Sequence, residues 1–360
     1  MVYMQRALEL AQEAVGISSP NPPVGAVLVK DGHIVGEGHT LPPGQAHAEI
    51  IAITQAGRFA NGSSLYTTLE PCCHFGKTPP CTRQIIEAGI KEVHVAFIDP
   101  NPLVNGKGID ELRNAGISIH IDELGREAVE IMEGYVKVMS SGKPFVTAKF
   151  AMSLDGKIST SSGDSKWITS AESRATARRL RGKADAILVG IGTVLQDDPH
   201  LTFRDADGNL CERQPVRIVL DSYGRLPLDA KLLKEPGLSL IVATDVEEQK
   251  VNALTQLGAE VIFVSGQNGS IDLTELMELL TQRGFLSLIV EGGSHILGSF
   301  FDAGLVDKVV GFVSPVILGG TKSPSPVGGN GAAKIADSFK LERSNITTIG
   351  NDVMITGYLR

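Results

Sequence analysis

From Phe145 onward the chain alternates short apolar runs (Phe145 to Met152, Ala186 to Gly190, Val216 to Asp221, Leu238 to Ala243, Val261 to Val264, Leu286 to Glu291) with stretches of helical spacing. Runs this short, rich in Val, Ile and Leu and bounded by polar loops, are strands, and strands alternating with helices build an α/β sheet. Lys308 to Val313 and Val353 to Leu359 are expected to add antiparallel edge strands. The chain before about residue 139 is also α/β. Val24 to Val29 and Ile34 to Gly38 flank Asp31-Gly32, a dipeptide suited to a type I′ hairpin turn. Ala46 to Gly57 and Cys81 to Gly89 have helical spacing and end in glycine, whereas Leu65 to Leu69 and Val93 to Ile98 read as buried strands.

A length of 360 residues exceeds most single hydrophobic cores, so two domains are expected. The small, proline-closed stretch Ser140-Ser141-Gly142-Lys143-Pro144 reads as the linker, dividing the chain into 1–143 and 144–360. No internal repeat is visible, and Lys322 to Gly331 reads as a Pro/Gly-rich loop. A net charge of -8 argues against binding nucleic acid or an anionic membrane through bulk charge, so an anionic ligand must be held by local cations or helix N-termini. The N-terminal stretch carries charges within its apolar pattern and reads as an amphipathic helix rather than a secretion signal. No apolar run is long enough to span a bilayer. Three of the four cysteines, Cys72, Cys73 and Cys81, fall within ten residues, which points to a metal site in a reducing cytoplasm rather than a disulfide scaffold.

His47-Ala48-Glu49 opens a helix, Glu70-Pro71-Cys72 follows a strand, and Cys81 opens another helix. One imidazole and two thiolates can hold zinc through three ligands and leave the fourth position to water, whose pKa then falls to about 7. Glu49, two residues from His47, is placed to shuttle the water proton to a leaving amine, the role of the glutamate in zinc nucleobase deaminases. The general pattern of those enzymes has two residues between its cysteines, whereas eight separate Cys72 from Cys81 here and Cys73 intervenes. Taken singly, His47 would be structural and the cysteines buried thiols. An open three-ligand site beside a glutamate has no purpose in a closed structural centre.

The insert Cys73-His74-Phe75-Gly76-Lys77-Thr78-Pro79-Pro80 is the most telling stretch. With Asn21-Pro22-Pro23-Val24-Gly25, His47-Ala48-Glu49, Thr68-Leu69-Glu70-Pro71-Cys72 and Asp99-Pro100-Asn101-Pro102, it resembles the bifunctional riboflavin-biosynthesis enzymes that join a diaminohydroxyphosphoribosylaminopyrimidine deaminase to an aminophosphoribosyluracil reductase. The resemblance implies a cytidine-deaminase-like three-layer α/β/α domain with one zinc on His47, Cys72 and Cys81, Glu49 as the catalytic residue, and Asn21, Lys77, Asp99 and Asn101 against the pyrimidine or its ribose phosphate. Beside prolines, Asn21, Asp99 and Asn101 are also natural turn residues. Many relatives carry a substrate-facing histidine where this chain has Thr40, which leaves His39 as a candidate substitute.

In the second half, Lys149 lies on a strand ahead of Met152-Ser153-Leu154-Asp155-Gly156 and Asp164-Ser165-Lys166-Trp167. Thr169-Ser170-Ala171-Glu172 reads as a capping box opening the helix that carries Arg181, and Trp167 taken alone would be core. Gly190-Ile191-Gly192-Thr193 lacks the third glycine of a dinucleotide fingerprint. Glu291-Gly292-Gly293-Ser294, a strand end running into a helix, offers backbone N–H groups to a phosphate. With Asp197-Asp198-Pro199-His200-Leu201-Thr202-Phe203-Arg204, these segments resemble the reductase half of the same family, which implies a dihydrofolate-reductase-like α/β domain using NADPH. Carried over by position, Ala151, Trp167, Thr193, Asp197, Ser222 and the turn of Gly293, Ser294, His295, Ile296, Leu297, Gly298 and Ser299 face the cofactor. Ser165, Arg181, Leu201, Arg204 and Glu291 face the substrate, with the two arginines on its phosphate and Lys149 orienting the reacting ribose.

The chemistry so implied is zinc-dependent hydrolytic deamination of a phosphoribosylaminopyrimidine, then NADPH-dependent reduction of its ribosyl side chain to ribityl. The partners are small phosphorylated pyrimidines, with neither nucleic acid nor membrane, and the resemblance suggests a homo-oligomer, dimer or tetramer. A cytidine or tRNA-adenosine deaminase with an unrelated second domain would show two residues between its cysteines and, for tRNA, a basic surface. A relative with one inactive half would lack Glu49, a zinc ligand or the nucleotide loop, and all are present. A zinc-stabilised binding protein would bind metal without turnover.

Overall fold

The computed structural model describes residues 2–359 except 77, 122, 206 and 268. The chain forms two compact units, Met1–Lys143 and Pro144–Arg360.

The first unit contains strands β1 (Gly25–Lys30), β2 (His33–His39), β3 (Ser64–Thr67), β4 (Glu92–Val95) and β5 (Ser118–Ile121). They form one sheet in the order β2-β1-β3-β4-β5. β1 is antiparallel to both neighbours, whereas β3, β4 and β5 are parallel. Asp31 and Gly32 both take positive φ, 51° and 78°, the geometry of a type I′ turn. Helices α1 (Val2–Ala14), α2 (Ala48–Ala56), α3 (Cys81–Glu87), α4 (Lys107–Asn114), α5 (Gly125–Ile131) and α6 (Glu133–Ser141) complete the unit. Because side chains alternate along a strand, Val27 and Val29 pack with Met4 and Leu8 of α1 and Ala128 of α5, while Ala26 and Leu28 turn to the opposite face. On that face α2 lies flat on β2. A Cβ on Gly36 would stand 2.1 Å from the Ala52 carbonyl oxygen, and one on Gly38 2.4 Å from that of Ala48.

The join between the units differs from the expected linker. Ser140 and Ser141 complete α6, their hydroxyls donating to the Lys137 carbonyl, and Gly142 ends the helix at φ 70°. Serines that cap a helical carbonyl and serines in a loose loop look alike in sequence.

In the second unit β6 (Phe145–Ser153), β7 (Ala186–Gly190), β8 (Val216–Leu220), β9 (Ser239–Ala243), β10 (Ala259–Phe263), the short pair β11 (Gly266–Gln267) and β12 (Ser270–Ile271), β13 (Ser287–Val290), β14 (Lys308–Ser314), β15 (Glu342–Ile349) and β16 (Asp352–Tyr358) are the strands. Nine of them form a sheet in the order β10-β9-β8-β7-β13-β6-β14-β16-β15. Helices α7 (Ala171–Arg181), α8 (Ile191–Asp197), α9 (Lys231–Lys234), α10 (Glu248–Gln256), α11 (Leu273–Gln282) and α12 (Ser294–Asp302) cover both faces. Ala186 and Leu188 of β7 pack on one side with Leu276 of α11 and Phe300 of α12, whereas Ile187 and Val189 pack on the other with Val194 of α8 and Leu254 of α10. Contrary to expectation, neither β14 nor β16 is an edge strand: β14 runs parallel to β6, β16 is antiparallel to both β14 and β15, and β15 forms the edge. β15 carries no apolar alternation and is exposed nearly throughout, so periodicity could not reveal it. Among the described residues no helix is long and apolar enough to cross a membrane.

Candidate active sites

In the first unit three segments that are distant in sequence meet at one imidazole. His47 is the N-cap of α2, Cys81 is the first residue of α3, and Cys72 lies on the loop after β3. The His47 Nδ1 atom is 3.6 Å from Cys72 Sγ and 3.3 Å from Cys81 Sγ. All three donor atoms lie within 4.8 Å of one another. Thr78 Oγ1, 3.3 Å from Nε2, fixes the other side of the ring, and the Cys81 N–H donates to Cys72 Sγ at 3.4 Å. Cys73 points elsewhere, its thiol 3.9 Å from the Leu103 carbonyl. Hydrogen bonding between the two thiols, helped by His47, lowers the Cys72 pKa to about 4 against the pull of burial, while Cys81 is driven up. One imidazole nitrogen facing two sulfurs, one of them a thiolate, is the donor chemistry of zinc.

Glu49, the second residue of α2, is buried, and burial raises its carboxyl to about 7 although His47 opposes the shift. It lines a cavity of about 280 Å³ with Asn21, Thr40, Asp99, Asn101 and Tyr135. Burial raises Asp99 to about 6. Its carboxylate accepts from the Tyr135 hydroxyl at 2.9 Å and the Asn101 N–H at 2.8 Å, and Asn101 in turn accepts from the Leu103 N–H. Asn101 is therefore a turn residue that also lines the cavity. Lys77 lies outside the described residues. Thr40 is buried at the cavity wall, accepting from the Val24 N–H. His39 points the other way, toward Glu13 at 3.6 Å, and does not stand in for a histidine at Thr40. Two organising groups escaped the sequence. Glu70 accepts from the N–H groups of Asp99, Gly106 and Ile109, and Tyr135 reaches Asp99 from α6. Glu70 stood in the quoted run beside Cys72, but nothing local marks Tyr135.

In the second unit Val290 of β13 pairs with Ala148 of β6, which brings Glu291 beside Lys149 at the sheet's centre. Glu291 is buried and accepts a fork of two hydrogen bonds from Arg181, Nε at 2.8 Å and Nη2 at 2.9 Å. Lys149 Nζ is 3.6 Å away. Burial alone would raise this carboxyl, but Arg181 and Lys149 overcome it and hold it at about 2. The guanidinium of Arg204 is likewise engaged, by Thr202 Oγ1 and the Gly208 carbonyl. Both arginines expected on a phosphate thus already have protein acceptors. Among the described residues, an arginine the sequence did not single out has a donor to spare: Arg178, whose buried Nε has no partner. Burial and the charges of Arg181, Arg174 and Arg204 all lower its pKa. Arg178 lies one turn before Arg181, where it reads as another solvated helix cation.

A cleft of about 1330 Å³ opens in this unit. Thr193 and Asp197 of α8 line it with Ser165 and Ser222, and Ser165 donates to Asp197 at 2.8 Å. Gly293, the N-cap of α12, and Ser294, His295, Ile296 and Ser299 line it as well. Gly190 and Gly292 are required there, since a Cβ on either would meet Ile296 at 2.6 Å. Two residues expected on this wall turn away from it: Leu297 is buried in the core, and Gly298 packs against the backbone of Gly328 and Gly329. This follows from helical geometry, since one α12 face cannot present every residue to one side. Leu201 is buried among Ile187, Val189 and Leu226, which leaves its backbone rather than its side chain for a substrate. Ala151 packs beside Ala177 and Phe312. Trp167 is not core: it is 69% exposed, with the Arg174 guanidinium 4.5 Å from its ring centroid. The helix cap is Ser170, accepting from the Ser173 N–H, one residue later than the expected capping box.

A half-buried His-Cys-Cys cluster beside a buried glutamate on an α/β/α frame defines a zinc deaminase domain, and the nine-stranded sheet with its cleft defines a second, reductase domain. The comparisons agree with both. Residues 1–97 match the cytidine and deoxycytidylate deaminase zinc-binding region, and residues 144–355 match the RibD C-terminal domain. The riboflavin biosynthesis protein RibD of Aquifex aeolicus is 44% identical over 98% of this chain and 96% of its own. RibD of Acinetobacter baumannii superposes with a TM-score of 0.90 at 35% identity, covering 100% of this chain and 98% of that one. A diaminohydroxyphosphoribosylaminopyrimidine deaminase/5-amino-6-(5-phosphoribosylamino)uracil reductase from Thermotoga maritima gives 0.86 at 35% identity, with the same coverage. The chain belongs to the RibD family of bifunctional deaminase/reductases of riboflavin biosynthesis.

Proposed function

We propose that the first unit deaminates 2,5-diamino-6-ribosylamino-4(3H)-pyrimidinone 5′-phosphate and the second reduces the resulting uracil with NADPH to 5-amino-6-(5-phospho-ribitylamino)uracil. The observation that carries this proposal is the convergence of His47, Cys72 and Cys81 on one point beside buried Glu49. His47, Cys72 and Cys81 would hold a zinc ion, which would supply a Lewis acid beside Glu49. Glu49 accepts the proton of the attacking water and hands it to the departing amino nitrogen, a transfer suited to a carboxyl held at about 7. Asn21, Asp99 and Asn101 orient the pyrimidine in the small cavity.

In the second unit the open backbone supports a dinucleotide. A Cβ on Gly192 would meet nothing within 4 Å, and one on Gly293 would meet only Thr193 Oγ1, at 3.8 Å. NADPH bound in that cleft would supply the hydride for C1′. Thr193, Asp197, Ser222 and the start of α12 bind it, with Trp167 at the rim. Glu291, held at about 2, is ionised at neutral pH and cannot donate a proton. The Lys149 ammonium beside it can, and meets the oxygen released as the ribose ring opens. Arg178 takes the 5′-phosphate, with Arg181 and Arg204 fixing its surroundings.

The test is a paired assay that supplies the diaminopyrimidine ribosyl phosphate with and without NADPH, following ammonia and absorbance at the nicotinamide band. Ammonia without NADPH, then NADPH oxidation once it is added, is the expected order. Ammonia alone would remove the reductase half of the proposal, and neither signal would remove both.

A further inference from the structure

The sheet of the first unit carries a second cluster of metal-ligating groups, unconnected with the cysteines. Glu92 and His94 alternate on β4, so both side chains stand on one face, and the parallel register sets His120 of β5 directly beside His94. One carboxylate oxygen meets both rings: Glu92 Oε1 is 2.9 Å from His120 Nε2 and 3.6 Å from His94 Nε2. The rings lie nearly parallel, 17° apart, with centroids at 4.6 Å. A donor atom from each of the three residues falls within 4.8 Å of the others.

The surroundings hold these groups as second-layer residues hold metal ligands. Ser64 donates its hydroxyl to the other oxygen of Glu92 at 2.8 Å, which fixes the carboxylate plane. The far nitrogen of His94, Nδ1, faces Glu123 at 3.7 Å, the carboxylate–histidine arrangement that orients a ligating ring and leaves Nε2 as the donor. Tyr66 stacks on the opposite face of the His94 ring at 4.2 Å. An ordinary ion-pair cluster accounts for one histidine on Glu92. It gives no reason to set a second imidazole with its Nε2 atom on the same carboxylate oxygen.

We infer that Glu92, His94 and His120 bind a divalent metal of the zinc, cobalt or nickel class, at a site separate from the His47-Cys72-Cys81 centre. Two imidazoles and a carboxylate suit borderline metals, and with His120 over half exposed the remaining coordination positions open to water. The metal ties edge strand β5 to β4, so its role is to brace the sheet. The inference does not depend on the activity assigned to either unit.

The test strips the full-length protein with chelator and titrates it with Co²⁺, reading bound metal by elemental analysis and the spectrum for thiolate-to-cobalt charge transfer. The wild type should take up two equivalents, only one of them with charge transfer. His120→Ala, at an exposed position that leaves the core intact, should lose one equivalent and keep the charge-transfer band. Glu92→Gln should lose the same one. Cys81→Ser should lose charge transfer and keep the equivalent that His120→Ala removes. A wild type that stops at one equivalent, or a second equivalent that survives His120→Ala, overturns the inference.

Discussion

Arg181 and Glu291, 110 residues apart in sequence, face each other fork to fork, two guanidinium nitrogens on two carboxylate oxygens at 2.8 and 2.9 Å. With Lys149 at 3.6 Å, two cations share one buried anion. Glu291→Gln leaves both cations without a counter-charge, and the full chain should lose about 3 kcal/mol of unfolding free energy, read by urea denaturation.

The same carboxylate sets a pH dependence. Its folded pKa, about 2, lies below the usual 4.5, so its stabilisation is present above pH 4.5 and is lost as pH falls through the folded value. Urea midpoints for the wild type minus those for Glu291→Gln should be constant between pH 5 and 7 and shrink below about pH 4.5. A difference that grows on acidification would contradict the assignment.

Glu49→Gln preserves shape and hydrogen bonding but removes the proton carrier. Bound zinc should stay at the wild-type content while ammonia release drops by about 10²- to 10⁴-fold, and reduction of preformed uracil substrate should continue. Metal analysis alongside the two assays separates a lost base from a lost ligand.

The thiols should sort by direction. Cys73 faces the Leu103 carbonyl, so Cys73→Ser should leave zinc content unchanged, whereas Cys72→Ser and Cys81→Ser should each abolish tight binding at the His47-Cys72-Cys81 centre. Metal loss in Cys73→Ser would mean that the loop carries its sulfurs differently.

Arg178→Ala should raise KM for the phosphorylated uracil by about tenfold and leave KM for NADPH within twofold, because the guanidinium whose Nε lacks an acceptor is assigned to the phosphate. Equal shifts in both constants would move Arg178 to the cofactor. Arg204→Ala, which also breaks contacts to Thr202 and Gly208, should weaken the same substrate and lower stability besides.

The zinc cluster was legible because each donor sits at a helix start or just after a strand, where short-range patterns speak. Glu49 came with His47 for the same reason. Tyr135 and Arg178 were not legible: their significance lies in which distant group each meets or fails to meet, and helix spacing carries no trace of that. The strands β6 to β10 and β13 were readable as buried apolar runs, but β14, expected as an antiparallel edge strand, lies inside the sheet between parallel β6 and antiparallel β16, because an apolar run records neither its neighbours nor its orientation. The serines before Gly142 misled through composition, since small polar residues finish a helix as readily as they fill a loop.

Gly36 and Gly38 bear no chemistry, yet they set how near α2 stands to β2, and α2 opens with His47 and Glu49. A methyl group on either would push that helix outward by an ångström or more, and the proton carrier would move with it while the cysteines stayed behind. The deaminase centre is therefore exposed to inherited change at two featureless strand positions, where a substitution would pass for harmless by every chemical criterion and still silence the enzyme.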